Sequence, residues 1–135
     1  MIDLYHTDVP IECIQDAAIQ FHVPIKIIIT VLNIERGQLG ALEKNKNGTY
    51  DIGPLQINST WLPTLKKHGI SQYDVQWNPC INVKIGTWLL AKAIASEGDL
   101  LKGISNYHSH TPYFNHQYSQ QVKIRFTQLT YFLKD

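Results

Sequence analysis

The amino-acid sequence predicts a mainly helical α+β domain, in which a helical body carries a small β-ribbon or loop lobe that borders a cleft. Two patterns support this prediction. Apolar residues recur at helical spacing along most of the chain, and a polar, turn-prone stretch at residues 38–58 interrupts them. The 135 residues contain no repeat, low-complexity tract or linker, so we expect one domain spanning residues 1–135.

Prolines begin the first two predicted helices. Pro10 suits the first turn of one helix, and Pro24 opens a second in the same way. Residues 25–34 are apolar on nearly all sides, which predicts a helix buried in the middle of the domain. The isoleucines in this run would also suit a strand. The proline start, together with Gly37 as the residue just beyond the end, favours a helix.

Turn and capping signals organise the rest of the chain. The pair Asn47-Gly48 is a hairpin signal, so residues 38–58 are expected to form a short two-stranded ribbon or an ordered loop. Further helices are expected at 59–69 (capped by Ser59, with Pro63 in its first turns), 78–98 (begun by Asn78-Pro79 and ended near Gly98), 99–107 (capped by Asp99) and 115–133.

Composition excludes several classes of function. The net charge is +1 and the basic residues are scattered, so neither a nucleic-acid surface nor a basic membrane-binding stripe is predicted. The sequence has no run of about 18 apolar residues and therefore no expected membrane insertion. Residues 1–8 lack the pattern of a secretion signal, so the chain is either cytosolic or a form from which a signal has been removed.

Metal and thiol chemistry receive little support from the sequence. His108 and His110 stand two residues apart without a third ligand, so no metal and no cofactor are expected. The two cysteines, Cys13 and Cys80, allow one disulfide but equally fit two buried thiols in a helical core.

Glu35 is the first candidate for catalysis. It ends the apolar second helix, where burial and the negative end of the helix dipole both disfavour a charged carboxylate. A carboxylic acid that keeps its proton can donate it to a glycosidic oxygen. The neighbouring Arg36 would oppose this effect if it turned toward Glu35. Considered alone, Glu35 is better explained as an ordinary solvent-facing glutamate in a last helical turn.

Asp51 is the second candidate carboxylate. A ribbon that folds back across the end of the second helix would bring Asp51 opposite Glu35. Two carboxylates that face a sugar ring are the basic equipment of glycoside cleavage. The alternative is a turn aspartate that bonds its own backbone.

A longer segment strengthens both candidates. Asp51-Ile52-Gly53-Pro54-Leu55-Gln56-Ile57-Asn58-Ser59 resembles the G-L-M-Q-I-N-S signature of lytic transglycosylases and of goose-type and chicken-type lysozymes. Tyr107-His108-Ser109 stands where this family has Tyr-Asn. It is typical of the small transglycosylases that accompany type III and type IV secretion, conjugation and pilus assembly. Residues 78–88 also resemble their Asn-Pro-Cys-x-Asn-x-x-x-Gly-x-Trp pattern, and Tyr118 stands where the family has a further active-site tyrosine.

The resemblance implies a lysozyme-like fold and cleavage of peptidoglycan between N-acetylmuramic acid and N-acetylglucosamine, with a 1,6-anhydromuramyl product. It implies that Glu35 acts first as acid and then as base, and it leaves open how far Asp51 contributes. By the same resemblance, Gln56 and Tyr107 orient Glu35 and the substrate. Asn58, His108 and Tyr118 would then line the sugar subsites.

The resemblance also implies a Cys13–Cys80 disulfide and an exported, periplasmic protein whose signal is absent from this chain. We expect a monomer whose partners are glycan strands and components of a secretion or pilus apparatus. Three positions depart from the family pattern: Arg36 replaces the common serine, Pro54 removes a backbone donor, and His108 replaces asparagine.

Two other functions remain open at this point: a hydrolytic muramidase, and a catalytically weak peptidoglycan-binding component of such an apparatus. The tryptophans do not decide between them. Trp88 is expected in the core, and the roles of Trp61 and Trp77 are open.

Overall fold

The structure is a computed structural model that describes residues 7–98, 102–104 and 107. Its elements confirm the predicted mainly helical fold with a small β lobe. The helices are α1 (Ile11–Phe21), α2 (Ile25–Glu35), α3 (Leu62–Lys67), α4 (Gln72–Trp77) and α5 (Pro79–Glu97); the strands are β1 (Leu42–Lys44), β2 (Tyr50–Ile52) and β3 (Ile57–Asn58); a 3-10 helix spans Ser59–Trp61. The helix expected at 115–133 lies outside the described residues, and of the helix expected at 99–107 only residues 102–104 and 107 are described, as helical.

The second helix forms the centre of the core, as its all-round apolar pattern predicts. Ile28 and Val31 are fully buried, and α1 packs against both α2 and α5. The helical interpretation of residues 25–34 is therefore confirmed over the strand. Pro10 lies just before α1, and Pro24 lies just before α2. The fixed φ of proline suits the position at which the chain enters a helix.

Arg36 caps the end of α2. Arg36, not Gly37, adopts the left-handed conformation, with φ 52°, and its N–H bonds to the Leu32 carbonyl at 3.0 Å. The Arg36 Nε also donates to the Asn33 carbonyl at 2.9 Å, so the side chain satisfies one of the open carbonyls of the last turn. Gly37 is the next residue, just beyond the end as expected, but its φ is not positive and a different constraint acts on it.

The β lobe is a three-stranded antiparallel sheet in the order β1-β2-β3, so it has one strand more than the predicted ribbon. The Asn47-Gly48 hairpin is confirmed: the Asn45 N–H bonds to the Thr49 carbonyl at 2.8 Å, and Gly48 has φ 88°. The additional strand, β3, comes from the signature segment. It pairs with β2 because the chain reverses through a tight turn at residues 53–56.

Two features near residue 60 correct the sequence prediction. Asn58, not Ser59, caps the 3-10 helix, since its Oδ1 accepts from the Thr60 N–H at 3.1 Å. The Ser59 hydroxyl instead accepts from the Tyr50 N–H at 3.1 Å and ties the segment to β2. The sequence prediction also missed α4, whose reciprocal Ser71–Asp74 capping box was available as a signal.

The longest helix among the described residues, α5, begins and ends as predicted. Its cap Asn78 accepts from the N–H groups of Cys80 and Ile81 at 3.0 and 3.1 Å, and Gly98 ends it with φ 65°. A disulfide joins Cys13 of α1 to Cys80 of α5, with a Cα–Cα distance of 4.9 Å, so the implied pairing is present. Within the described residues, no helix has the length and apolar character needed to cross a membrane.

Candidate active site

The loop that leaves Glu35 packs directly on the signature turn. A Cβ added to Gly37 would overlap the Gly53 carbonyl oxygen and would lie 2.7 Å from Gln56 Nε2. Only a glycine leaves room for this contact. The close approach brings the C-terminal end of α2, where Glu35 is half-buried, against residues 53–56.

A buried asparagine of α5 holds the same turn from the other side. Asn82 is fully buried, and its Nδ2 donates to the carbonyls of Ile52 and Val75 at 2.9 and 3.0 Å. Its Oδ1 accepts from the Leu55 N–H at 2.9 Å. One amide therefore satisfies three backbone groups of β2, α4 and the turn, which would otherwise be buried without partners.

Glycines allow α5 and the turn to approach each other closely. A Cβ on Gly53 would lie 2.5 Å from Asn82 Nδ2, and one on Gly86 would lie 2.5 Å from the Leu55 side chain. The turn is thus enclosed between the end of α2 and the middle of α5. Its carbonyls and side chains have little freedom to move, which is what a preorganised site requires.

Asp51 lies within β2, opposite Glu43 of β1 and Asn58 of β3. Its Oδ1 accepts from Asn58 Nδ2 at 3.0 Å, and the same amide donates to Thr49 Oγ1 at 3.2 Å. The interpretation of Asp51 as a turn aspartate bonding its own backbone is therefore wrong. Asn58 orients the carboxylate from the neighbouring strand.

Gln56 has an uncommon backbone conformation for a residue with a side chain, with φ 53°. Its Nε2 donates to the Gly53 carbonyl at 3.1 Å and closes the turn with a side-chain bond. The structure thus places Gln56 beside Gly37 and the end of α2. Its expected role in orienting Glu35 stays a prediction.

The Tyr107 hydroxyl interacts electrostatically with the carboxylates of both Glu35 and Asp51. It donates to the Leu55 carbonyl at 2.6 Å. Burial raises the pKa of this hydroxyl well above its usual value of 10.0, and the charges of Glu35 and then Asp51 raise it further. Both carboxylates thus lie close enough to act on the same group, and Tyr107 remains a neutral hydrogen-bond donor.

The remaining candidate residues separate into two groups. His108, His110 and Tyr118 lie outside the described residues. Trp88 is half-buried against the core as expected, and Trp61 meets it edge to face, with ring centroids 5.9 Å apart. Trp77 is 50% exposed, and its ring lies against Gly40. Among the described residues no group of three or more histidine, cysteine or acidic side chains is arranged to hold a metal ion.

The sequence prediction assigned no role to Gly37 or Asn82 in building the site. The signal for Asn82 was a short amide between two apolar residues of α5, since a buried polar side chain requires partners. Gly37 gave no comparable signal, because its constraint comes from residues that are distant along the chain.

Comparison with known proteins agrees with this geometry. The family model described as the transglycosylase SLT domain matches residues 12–124. A peptidoglycan-binding-like protein of Escherichia coli O157:H7 is 30% identical over 129 residues, which cover 87% of this chain and 77% of that protein.

Two further relatives come from Salmonella typhimurium and Shigella flexneri. The invasion protein IagB of Salmonella typhimurium is 29% identical over 101 residues, covering 74% of this chain and 63% of that protein. Protein IpgF of Shigella flexneri is 25% identical over 101 residues, covering 74% of this chain and 66% of that protein. The family match covers most of the chain, including the α2 end, the signature turn and α5, and the chain therefore belongs to the transglycosylase SLT family.

Proposed function

We propose that this chain is a peptidoglycan lytic transglycosylase with Glu35 as its acid and base. The observation that carries the proposal is the packing of Gly37 on the turn at residues 53–56, which brings the α2 end against the family signature. The family match supports the substrate class, because the enzymes this domain is named for act on glycan strands.

The proposed reaction begins with proton donation. Glu35 protonates the oxygen of the β-1,4 bond between N-acetylmuramic acid and N-acetylglucosamine as the bond to the muramyl C1 breaks. N-acetylglucosamine leaves with a free hydroxyl. The Glu35 carboxylate then removes the proton from the muramyl C6 hydroxyl, whose oxygen attacks C1 and closes the 1,6-anhydro ring. The proton returns to Glu35, and no water is consumed.

The other site residues have supporting roles in this proposal. Gln56 and the neutral Tyr107 position the substrate beside Glu35, while Asn58, His108 and Tyr118 contact the sugars. Asp51, held by Asn58, stabilises the positive charge that develops at C1. Tyr107 has a raised pKa and therefore acts as a donor rather than as a base.

Hydrolysis is the second candidate reaction, and the oriented Asp51 is the observation that favours it. A carboxylate facing the sugar from the β lobe can support attack at C1 by water. The product would then carry a reducing end instead of an anhydro ring.

Digestion of purified peptidoglycan, followed by mass spectrometry, tests both reactions. The transglycosylase product is one water lighter than the hydrolytic product. We expect the anhydro product from the wild type and a loss of at least about 100-fold in Glu35→Gln, the usual contribution of acid–base catalysis. Glu43→Gln, an exposed change on β1, is the matched control. Asp51→Asn should lower the rate by less than Glu35→Gln and leave the product unchanged.

Three results would contradict the proposal. Reducing ends alone would favour the muramidase. Cleavage that survives Glu35→Gln would show that another residue is the acid. Binding to peptidoglycan without any cleavage by the wild type would favour a binding component, a role that the name of the Escherichia coli relative suggests.

The cellular role follows from the substrate. We propose that the protein acts in the periplasm as a monomer and opens the wall locally for a secretion, conjugation or pilus apparatus. The name of the Salmonella relative, an invasion protein, supports this setting. Deleting the gene should impair assembly of one such apparatus, and the gene for Glu35→Gln should fail to restore it.

A further inference from the structure

Polar side chains of the hairpin between β1 and β2 form a network that leads to Asp51. The Thr49 hydroxyl accepts from Asn45 Nδ2 at 3.0 Å and from Asn58 Nδ2 at 3.2 Å. It donates its own hydrogen to Asn47 Oδ1 at 2.6 Å. A threonine hydroxyl has one hydrogen to donate and two lone pairs that accept. All three are in use, so the direction of this hydroxyl is fixed.

The side-chain amide of Asn58 is held at both of its polar atoms. Its Oδ1 accepts from the Thr60 N–H at 3.1 Å, so the nitrogen is the atom that faces the hairpin. The two hydrogens of Nδ2 go to Thr49 Oγ1 at 3.2 Å and to Asp51 Oδ1 at 3.0 Å. Because an amide group is planar, the bond to Thr49 sets the direction of the second N–H, which points at the carboxylate.

The backbone of the hairpin turn closes without the Thr49 hydroxyl. The Asn45 N–H donates to the Thr49 carbonyl at 2.8 Å, and the Gly48 N–H donates to the Asn45 carbonyl at 3.2 Å. Gly48 supplies the left-handed conformation of the turn, with φ 88°. The bond between Thr49 and Asn58 therefore adds a connection that the turn does not require. It joins the turn to β3 at the residue that holds Asp51.

We propose, on the basis of the function proposed above, that Thr49 is a positioning residue for Asp51 and acts through Asn58. The Thr49 hydroxyl sets the plane of the Asn58 amide, and the amide sets the orientation of the Asp51 carboxylate. In the proposed reaction the carboxylate then does not have to turn as positive charge develops at C1, and a preorganised charge stabilises the transition state more than a mobile one. The effect of Thr49 on the rate is therefore exerted through Asp51.

A double-mutant cycle tests this dependence, with kcat and KM measured on soluble glycan strands. Thr49→Val removes the hydroxyl and is made both alone and together with Asp51→Asn. In the protein that retains Asp51, we expect kcat to fall about fivefold and KM to change little, a coupling of the size found between residues of one hydrogen-bond network. In the Asp51→Asn protein the same change should leave kcat nearly unaltered, because no carboxylate remains to be oriented.

Three further variants complete the experiment. Thr49→Ser keeps the hydroxyl and should retain most of kcat. Thr64→Val is the control, since Thr64 is also half-buried, lies on α3 and has a hydroxyl that bonds to no other described residue. Urea unfolding shows which variants are folded in the assay. If Thr49→Val is not, Asn45→Ala, which removes one donor to the hydroxyl, replaces it in the cycle and should show the same dependence on Asp51.

The outcomes separate this role from the function on which it rests. Equal losses with and without Asp51 would overturn the positioning role alone, because a hairpin that is merely destabilised affects both proteins alike. A loss in Thr49→Ser as large as that in Thr49→Val would do the same. If Asp51→Asn leaves kcat unchanged, the positioning role fails while catalysis by Glu35 stands. If the wild type does not cleave the strands, the proposed function fails and the positioning role fails with it.

Discussion

Gly37 and Gly53 are in direct backbone contact, although they belong to different structural elements. The α-carbon of Gly37 faces the Gly53 carbonyl so closely that a methyl group has no room between them. Gly37 follows the helix that ends in Glu35, and Gly53 begins the turn that carries Gln56. This one contact sets the position of the candidate acid relative to the signature segment.

Gly37→Ala should therefore destabilise the protein and reduce cleavage together. The new methyl group must push two backbone segments apart, which costs about 2 kcal/mol or more in a packed interior. The free energy of unfolding in urea measures the effect. Gly48→Ala is the control: its φ of 88° is strained for alanine, at about 1 kcal/mol, but nothing lies near the added Cβ. Equal losses in the two variants would contradict the contact.

Asn82→Ala should be among the most destabilising changes in α5. It leaves the Ile52 and Val75 carbonyls and the Leu55 N–H without their partner, and each unsatisfied buried group costs about 1–3 kcal/mol. We expect a total loss of about 3 kcal/mol in urea unfolding. Asn78→Ala removes an exposed helix cap on the same helix and should cost about 1 kcal/mol. An Asn82 variant no less stable than the Asn78 variant would refute the role of this amide.

Tyr107 should make the folded protein sensitive to alkaline pH. Its pKa is raised in the folded state, so its neutral form is favoured there. The stability from this group is fully present below pH 10.0, its usual pKa, and is lost as the pH rises through the folded-state pKa. The loss amounts to about 1.4 kcal/mol per pH unit in that window.

Tyr107→Phe tests this dependence by denaturant unfolding between pH 8 and 11. At pH 8 the variant should lose about 1 kcal/mol, because the Leu55 carbonyl loses its donor. Above pH 10 the variant should lose less stability than the wild type. Tyr73→Phe, at a position 72% exposed, is the control and should follow the wild type. Parallel curves for the wild type and Tyr107→Phe would be inconsistent with a buried hydroxyl.

The Cys13–Cys80 disulfide should contribute strongly to stability. It closes a chain segment with a sequence separation of 67 residues, for which the loss of unfolded-state entropy corresponds to about 4 kcal/mol. The double variant Cys13→Ala/Cys80→Ala should unfold at a lower urea concentration by a corresponding amount. Reductant should lower the midpoint of the wild type and leave the double variant unchanged. A wild-type midpoint that is insensitive to complete reduction would contradict this contribution.

Local signals predicted the elements whose causes lie within a few residues. Helix α2 follows from an apolar run after Pro24, the hairpin from Asn47-Gly48, and the start of α5 from Asn78-Pro79. These signals act on neighbouring residues, through a restricted φ or a side-chain cap. Their effect does not depend on the rest of the fold. The missed helix α4 was of this kind too, since its capping box is local.

Two other differences arise where distant segments meet. At the end of α2 the left-handed residue is Arg36, because Gly37 is already required for contact with Gly53. In the β lobe, Asn82 of α5 bonds to Ile52 and Leu55 on either side of the turn that leads from β2 into β3. No short stretch of sequence contains both partners of either contact.

The sequence by itself determined the mainly helical class, the family resemblance, the Glu35 and Asp51 candidates and the cysteine pair implied by that resemblance, because these follow from residue types at short spacing. The tertiary structure decided how the candidates are arranged: Glu35 beside the signature turn, and Asp51 oriented by Asn58. These relations depend on close packing between elements far apart in the chain. That packing is set by which side chains are absent, as at Gly37, as much as by which are present.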